Sequence, residues 1–197
     1  MAGGGLKKGR REQRLPGRAV LDSSGSGQDG TPSAGPLYSI DLPPWAANIG
    51  STRSLQFDGV TSRVFVPDSP LLQLTRSLTI EASFKAEPTQ PGTPLGMILT
   101  RGDTRPFLDA YSFFLNPGNT ITFQIENSNS DSVSLAYTVP FDTWTHAAGT
   151  IDDTTGEMKL YVNGVLVNST NTSMRPFAAL DPASSPGLGI GCDGTGQ

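Results

Sequence analysis

Residues 156–167 read Gly-Glu-Met-Lys-Leu-Tyr-Val-Asn-Gly-Val-Leu-Val. Polar and apolar side chains alternate from Glu157 to Val162, a pattern typical of a strand with one buried face. Asn163-Gly164 follows, and this dipeptide supplies the positive φ angles of a two-residue hairpin turn. The stretch therefore predicts two antiparallel strands that fold back on each other.

The same alternation recurs through most of the chain. Gly and Pro together make up about a fifth of the residues, which disfavours long helices, and no segment shows a convincing helical period. Asp58-Gly59 separates two short apolar runs and predicts a second hairpin. Short strands joined by turn signals predict an antiparallel sandwich or barrel. The predicted strands cover 54–57, 63–66, 77–86, 95–100, 110–115, 120–126, 132–139, 144–151, 157–162 and 165–167.

Charge divides the chain into two parts. Residues 1–18 hold six basic residues and one acidic residue, which leaves eight basic and 17 acidic residues in the remainder. We expect a disordered basic segment over 1–18 and one domain over 19–197. The acidic remainder repels phosphates, so we expect no nucleic-acid partner. No apolar window of about 18 residues is present, so we expect no membrane insertion.

Several short motifs occur in an order that resembles a known family. A loop of sequence LDSSGSGQDGT at 21–31 comes first. The chain is similar to the laminin-G-like branch of the concanavalin A-like lectin/glucanase superfamily, whose fold is an all-β antiparallel jelly-roll sandwich. The motifs that follow the loop are SLQFDG at 54–59, RVFVPD at 63–68, LTIEA at 78–82, TWTHAA at 143–148 and GEMKLYVNG at 156–164.

The resemblance implies a recognition or adhesion module that binds carbohydrate or protein surfaces, as part of a larger exported or cell-surface protein. Two alternatives stay open: a ligand-free structural spacer and an accessory domain of a glycoside hydrolase. Residues 1–18 hold no apolar segment of the length that a secretory signal needs. Members of this family usually open with an aromatic-bearing strand and close with a strand after a segment like 188–191. We therefore expect a domain that is incomplete at one or both ends, with its C-terminal strand missing.

Calcium is the cofactor that the loop at 21–31 suggests. Asp22 and Asp29 could supply two oxygen ligands, because calcium takes several oxygens from loops that wrap around it. Similar domains often bind calcium, and the loop matches the family motif. The alternative is that Asp22 forms an Asx-turn and that Asp29-Gly30 is a plain turn.

The residues do not predict catalysis. Glycosidases need two carboxyl groups that flank the scissile bond, and neither Glu81 nor Glu126 is followed by a second carboxylate at i+2 or i+4. His146 is the single histidine and shares a strand face with Trp144, so we expect a structural role. Cys192 is also alone, which excludes an intrachain disulfide. We predict that the chain is not an enzyme.

Other sequence features are relevant to ligand binding, but they do not identify a ligand. The chain contains the adhesion tripeptide Arg101-Gly102-Asp103, which is too short to be specific. Asn168-Ser169-Thr170 and Asn171-Thr172-Ser173 are N-glycosylation sequons. Aromatic side chains that could stack on sugars are scarce, and Trp45 is the best exposed candidate, with a loop anchor as its alternative. The other aromatic candidates are Phe107, Tyr111 and Tyr137.

Overall fold

The computed structural model describes residues 19–33, 37–87, 95–105 and 108–192. The expected basic segment 1–18 and the ligand candidate Phe107 lie outside the described residues. Asp193-Gly194, a dipeptide typical of a turn, also lies outside the described residues. In the described part of the chain, no helix is both long and apolar enough to cross a membrane.

Strands account for most of the regular structure. Short 3-10 helices cover Ala46–Ile49, Pro70–Leu72 and Pro182–Ser184. Within the described ranges the strands are β1 (Thr31–Ser33), β2 (Leu37–Ser39), β3 (Ser54–Gln56), β4 (Arg63–Pro67), β5 (Leu78–Phe84), β6 (Gly96–Gly102), β7 (Asp109–Asn116), β8 (Thr120–Glu126), β9 (Ser132–Thr138), β10 (Thr145–Ile151), β11 (Glu157–Val162), β12 (Val165–Asn171) and β13 (Gly187–Ile190).

The described strands form two large sheets and one small one. The larger sheet has seven strands in the order β1-β4-β13-β6-β7-β8-β9, and the second has four in the order β12-β11-β10-β5. Strands β2 and β3 pair as a separate two-stranded sheet. Neighbouring strands are antiparallel, which confirms the predicted all-β jelly-roll sandwich.

The core lies between the two large sheets and follows the alternation in the sequence. Phe113 and Phe123 meet edge to face with ring centroids 6.4 Å apart. Both rings are fully buried, as are Met158 and Leu160 from the four-stranded sheet. Along β10, buried and half-buried residues alternate without a break, because every second side chain points between the sheets.

The structure confirms one predicted hairpin and corrects the other. Asn163 and Gly164 have φ angles of 50° and 79° and connect β11 to β12, as expected. Strands β3 and β4 do not pair, so the hairpin predicted around Asp58-Gly59 is wrong. Strand β3 pairs with β2, whereas β4 pairs with β1 and β13. The Asp58 carboxylate accepts hydrogen bonds from the backbone N–H groups of residues 60–62 and shapes a wider turn between different sheets.

The segment near residues 188–191 is itself part of the sheet. Strand β13 lies between β4 and β6 in the seven-stranded sheet. Its Gly187 leaves no room for a side chain, because a Cβ there would approach a ring carbon of Phe65 to 2.5 Å. The expectation of a further closing strand stays a prediction.

Candidate functional site

The outer face of the seven-stranded sheet carries a band of uncharged side chains, most of them polar, on β7, β8 and β9. Side chains that lie directly opposite each other on antiparallel strands share a face, so the register defines rows across these strands. We call this band the polar face. Its rows are Ser112–Gln124–Ser134, Phe114–Thr122–Ala136 and Asn116–Thr120–Thr138, with Ser132 beyond the first row.

Hydrogen bonds between side chains order part of the polar face. Asn116 Nδ2 donates to Thr122 Oγ1 at 2.8 Å, and the hydroxyls of Thr120 and Thr138 lie 3.2 Å apart. Exposure increases toward β9, where Ser132, Ser134, Ala136 and Thr138 are exposed. Ser112 and Thr122 are buried. The hydroxyl and amide groups that remain accessible can both donate and accept hydrogen bonds, and they belong to Asn116, Thr120, Gln124, Ser132, Ser134 and Thr138.

Glu126 is a buried carboxylate at the end of this face, with an exposed fraction of 5%. Its Oε1 accepts a hydrogen bond from Gln124 Nε2 at 2.6 Å, and its Oε2 accepts one from the Asp109 backbone N–H at 3.0 Å. Burial raises the pKa of Glu126, and these two hydrogen bonds oppose that rise. The carboxylate holds the Gln124 amide in place on the face.

Sequence reasoning identified Glu126 only as an acid with no second carboxylate further along its strand. The residue that contacts it, Gln124, lies two positions before it, where strand alternation places a side chain on the same face. The contact to Asp109 comes from the neighbouring strand β7. An antiparallel pairing of the predicted strands 110–115 and 120–126 would have indicated this second contact.

The loop that suggested calcium is ordered by its own hydrogen bonds. The Asp22 carboxylate accepts hydrogen bonds from the Ser24 N–H (2.8 Å), the Gln28 N–H (3.0 Å) and the Ser26 hydroxyl (2.8 Å). Hydrogen bonds from Ser24, Gln28 and Ser26 hold the pKa of Asp22 well below its usual range. Asp29 Oδ1 accepts the Asp22 N–H at 2.7 Å, so the two predicted residues are brought together.

This donor set fits a calcium ion poorly. Three N–H and O–H donors already point at the Asp22 carboxylate, and the N–H groups among them cannot coordinate a cation. Among the residues that the structure describes, no cluster of three His, Cys, Asp or Glu side chains could hold a metal ion. The geometry favours the Asx-turn alternative, and calcium binding at Asp22 and Asp29 stays a prediction.

The adhesion tripeptide is not an exposed loop. The Arg101 side chain has no exposed surface, and its guanidinium forms two hydrogen bonds with the Asp68 carboxylate, at 2.9 and 3.1 Å. The Asp103 carboxylate is also buried; it pairs with Arg105 and accepts the Asp181 N–H at 2.8 Å. Both charged residues therefore hold the fold together and are not presented to a receptor.

The aromatic and histidine candidates make structural contacts. Trp45 Nε1 donates to Ser83 Oγ at 3.2 Å, which anchors its loop on strand β5. His146 Nε2 lies 3.4 Å from Glu81 Oε2 on the outer face of the four-stranded sheet. Tyr111 is buried and donates to the Leu72 carbonyl at 2.9 Å. Tyr137 is 43% exposed, but it lies opposite the core residue Ile121 and does not belong to the polar face.

A family model for laminin G domains matches residues 58–197. The chain belongs to the concanavalin A-like lectin/glucanases superfamily. This membership confirms the resemblance that the sequence motifs indicated. No match to a curated protein was found for this superfamily member.

Two solved structures with a similar fold are binding domains of larger proteins by name. The binding domain of Paraclostridial Mosquitocidal Protein 1 matches with a TM-score of 0.65 and 12% identity, over 89% of this chain and 44% of that one. The botulinum neurotoxin serotype G binding domain matches with a TM-score of 0.62 and 14% identity, over 86% and 42%. This superfamily member therefore spans less than half the length of these structures, and the likeness shows a shared fold.

Proposed function

We propose that this chain is a non-catalytic binding module whose ligand is a neutral carbohydrate, bound at the polar face. The observation that carries the proposal is the set of fixed, uncharged hydroxyl and amide groups across β7, β8 and β9. Sugar hydroxyls both donate and accept hydrogen bonds, as Ser, Thr, Asn and Gln side chains do. A ligand and a face of this kind match each other without any charged group.

The accessible part of the polar face is the part that a ligand would contact. Gln124 is half-buried with its amide oriented by Glu126, and Ser134 lies beside it on the exposed strand β9. An amide held in one orientation loses little conformational entropy when a ligand binds, so it contributes more to affinity than a mobile one. Gln124 and Ser134 are therefore the residues that we assign to ligand contact.

The arrangement around Glu126 supports a non-catalytic role. A glycosidase places two carboxyl groups about 5 to 9.5 Å apart across the scissile bond. Here Gln124 occupies the neighbouring position on the strand, and its amide hydrogen-bonds the acid. The Glu126 carboxylate positions the Gln124 side chain, and Glu126 is only 5% exposed.

The structural neighbours add support for a binding role, since both are named as binding domains. By analogy with those proteins, in which the matched part is less than half of the chain, we place this module in a larger protein that acts outside the cell or at its surface. Calcium is not part of the proposal, because the hydrogen bonds around Asp22 leave its carboxylate satisfied.

Glycan-array screening followed by titration calorimetry of the best neutral oligosaccharide tests the proposal. Gln124→Ala and Ser134→Ala should each weaken binding about fivefold to tenfold, since a lost hydrogen bond costs about 1 kcal/mol. Thr79→Ala, on the exposed outer side of β5 in the other sheet, is the matched control and should leave affinity unchanged. Binding that all three variants retain would place the ligand elsewhere. No binding to any glycan would favour the ligand-free spacer.

A further inference from the structure

Two N-glycosylation sequons follow each other directly on one edge strand. Asn168-Ser169-Thr170 lies within β12, and Asn171-Thr172-Ser173 begins at its last residue. Strand β12 is at the edge of the four-stranded sheet, so both asparagines lie at the surface. The surroundings of the two side chains differ, and this difference separates the two sites.

The Asn168 amide is directed toward the other sheet, although the residue is exposed. It lies opposite Leu160, whose side chain is fully buried in the core. Its Nδ2 donates to the Ala136 carbonyl of β9 at 3.1 Å. This contact joins the edge strands of the two sheets, and a sugar on Nδ2 would be attached at the atom that makes it.

Asn171 points the other way. It lies opposite Glu157, on the outer side of β12, and it is exposed. In the part of the chain that the structure describes, its side chain forms no hydrogen bond. It borders a shallow depression of about 330 Å³ that is also lined by Thr154, Thr155 and Ser173.

The depression is lined mainly by uncharged residues. Arg175 is its one charged lining residue, and the guanidinium is bonded to Asp153 Oδ1 (2.8 Å) and to the carbonyls of Asp153, Thr172 and Met174. Gly156 forms the floor, where a Cβ would approach the Thr172 carbonyl oxygen to 2.5 Å. The groups left for a ligand are hydroxyls and an amide, which suit a sugar ring.

We propose that Asn171, and not Asn168, is an N-glycan acceptor, and that the first sugar of its glycan rests in this depression. The modification forms a bond between Asn171 Nδ2 and C1 of the sugar. The donor is an oligosaccharide on a polyisoprenyl pyrophosphate; its C1–O bond breaks, the lipid pyrophosphate leaves, and Nδ2 loses one proton. The proposal is independent of the carbohydrate ligand at the polar face, which lies on the other sheet.

Secretion of the full chain, behind an added leader, from a glycosylating eukaryotic cell line tests the assignment. Peptide mapping of the folded, secreted protein should find one glycan, at Asn171. Asn171→Gln and Ser173→Ala should both abolish it, whereas Ser173→Thr should retain it because the sequon is intact. Asn168→Gln and Thr170→Ala, which remove only the first sequon, should leave occupancy unchanged.

The glycosylation site can be assigned even if one of these substitutions prevents folding. Asn171→Gln and Ser173→Ala remove the same sequon through different side chains, and a thermal melt of each variant made without glycosylation shows which of them fold. A glycan mapped to Asn168, or folded secreted protein with no glycan, would overturn the proposal.

A separate experiment tests whether the first sugar occupies the depression. Amidase release of the glycan from native protein should be several-fold slower than from denatured protein, and Thr154→Ala should reduce that difference. Equal release rates from the native and denatured forms would show that the sugar does not occupy the depression.

Discussion

Arg101 shows how a single residue that resembles a recognition signal instead stabilises the fold. Its fully buried guanidinium bonds to the Asp68 carboxylate and to the Ala178 carbonyl at 2.8 Å. We predict that Arg101→Ala costs about 3 to 5 kcal/mol in the free energy of unfolding, because it leaves Asp68 without its partner. Urea denaturation measures this loss. Arg76→Ala, whose side chain is 84% exposed, should cost under about 1 kcal/mol. Equal costs for the two variants would contradict the structural role.

Asp103 makes stability depend on pH. Burial pushes its pKa upward, but hydrogen bonds from the Arg105 side chain and from the N–H groups of Asp181 and Arg105 outweigh burial and hold the pKa below its usual range. A lowered pKa in the folded state means that this stabilisation is present above about pH 4, the pKa of an unfolded Asp, and is lost as pH falls through the folded value.

Asp103→Asn should therefore lower the free energy of unfolding at pH 7 and reduce its fall between about pH 5 and 2. Urea midpoints measured across this pH range check the prediction. Asp142→Asn is the control, because Asp142 is exposed and Asn also tolerates its positive φ of 51°. An unchanged pH profile for Asp103→Asn would show that other acids dominate.

The Asp22 loop has two interpretations, an Asx-turn completed by hydrogen bonds and a calcium site, and a thermal melt distinguishes them. If the hydrogen bonds at Asp22 complete the loop, the thermal melt should be the same with calcium and with excess chelator. Asp22→Asn should then lower the Tm, since Asn keeps the Asx-turn through one oxygen but cannot accept the Gln28 N–H and the Ser26 O–H at its amide nitrogen. A calcium-dependent rise in Tm, lost in Asp22→Ala and Asp29→Ala, would establish the cation site, because a ligand at 100 times its Kd stabilises the folded state by about 2.7 kcal/mol.

At the scale of elements, a glycine on β10 allows an aromatic ring of the other sheet to pack directly against the strand. Gly149 on β10 faces Phe123 on β8, and a Cβ at Gly149 would approach the ring to 2.3 Å. We predict that Gly149→Ala destabilises the protein by about 1 to 3 kcal/mol, because the buried ring has no space to move away. Thr150→Ala, on the outer side of the same strand, should have a smaller effect in the same urea experiment. A neutral Gly149→Ala variant would mean that the sheets can separate at little cost.

At the scale of the whole molecule, the rows that we assign to ligand binding are uncharged although the chain carries a net charge. The chain has a formal net charge of −4, while the side chains in the rows of the polar face carry no charge. We predict that glycan affinity changes less than about twofold between roughly 50 and 500 mM salt, because screening weakens only interactions between charges. Titration calorimetry at several salt concentrations measures this. A steep loss of affinity with salt would point to a charged ligand.

Much of the fold could be predicted from local sequence. Alternation along Glu157 to Val162 and the Asn163-Gly164 turn define one hairpin without any distant contact, and the order of several such segments indicates the superfamily. These features could be predicted from the sequence because the period of side-chain alternation and the geometry of a turn depend on only a few neighbouring residues. The same local rules placed Gln124 and Glu126 on one face.

The remaining features of the fold and of the candidate site depend on pairing between strands that are distant in the sequence. The turn at Asp58 does not determine that β3 joins β2 while β4 joins β1 and β13, nor that Asp68 reaches Arg101 across 33 positions. Likewise, the rows of the polar face exist only in the register of β7, β8 and β9, and the contrast between Asn168 and Asn171 depends on how β12 lies against β11 and β9. Local sequence determined which residues form strands and turns. The tertiary structure decided which strands meet and which polar groups are buried, because those choices depend on packing both sheets over one core.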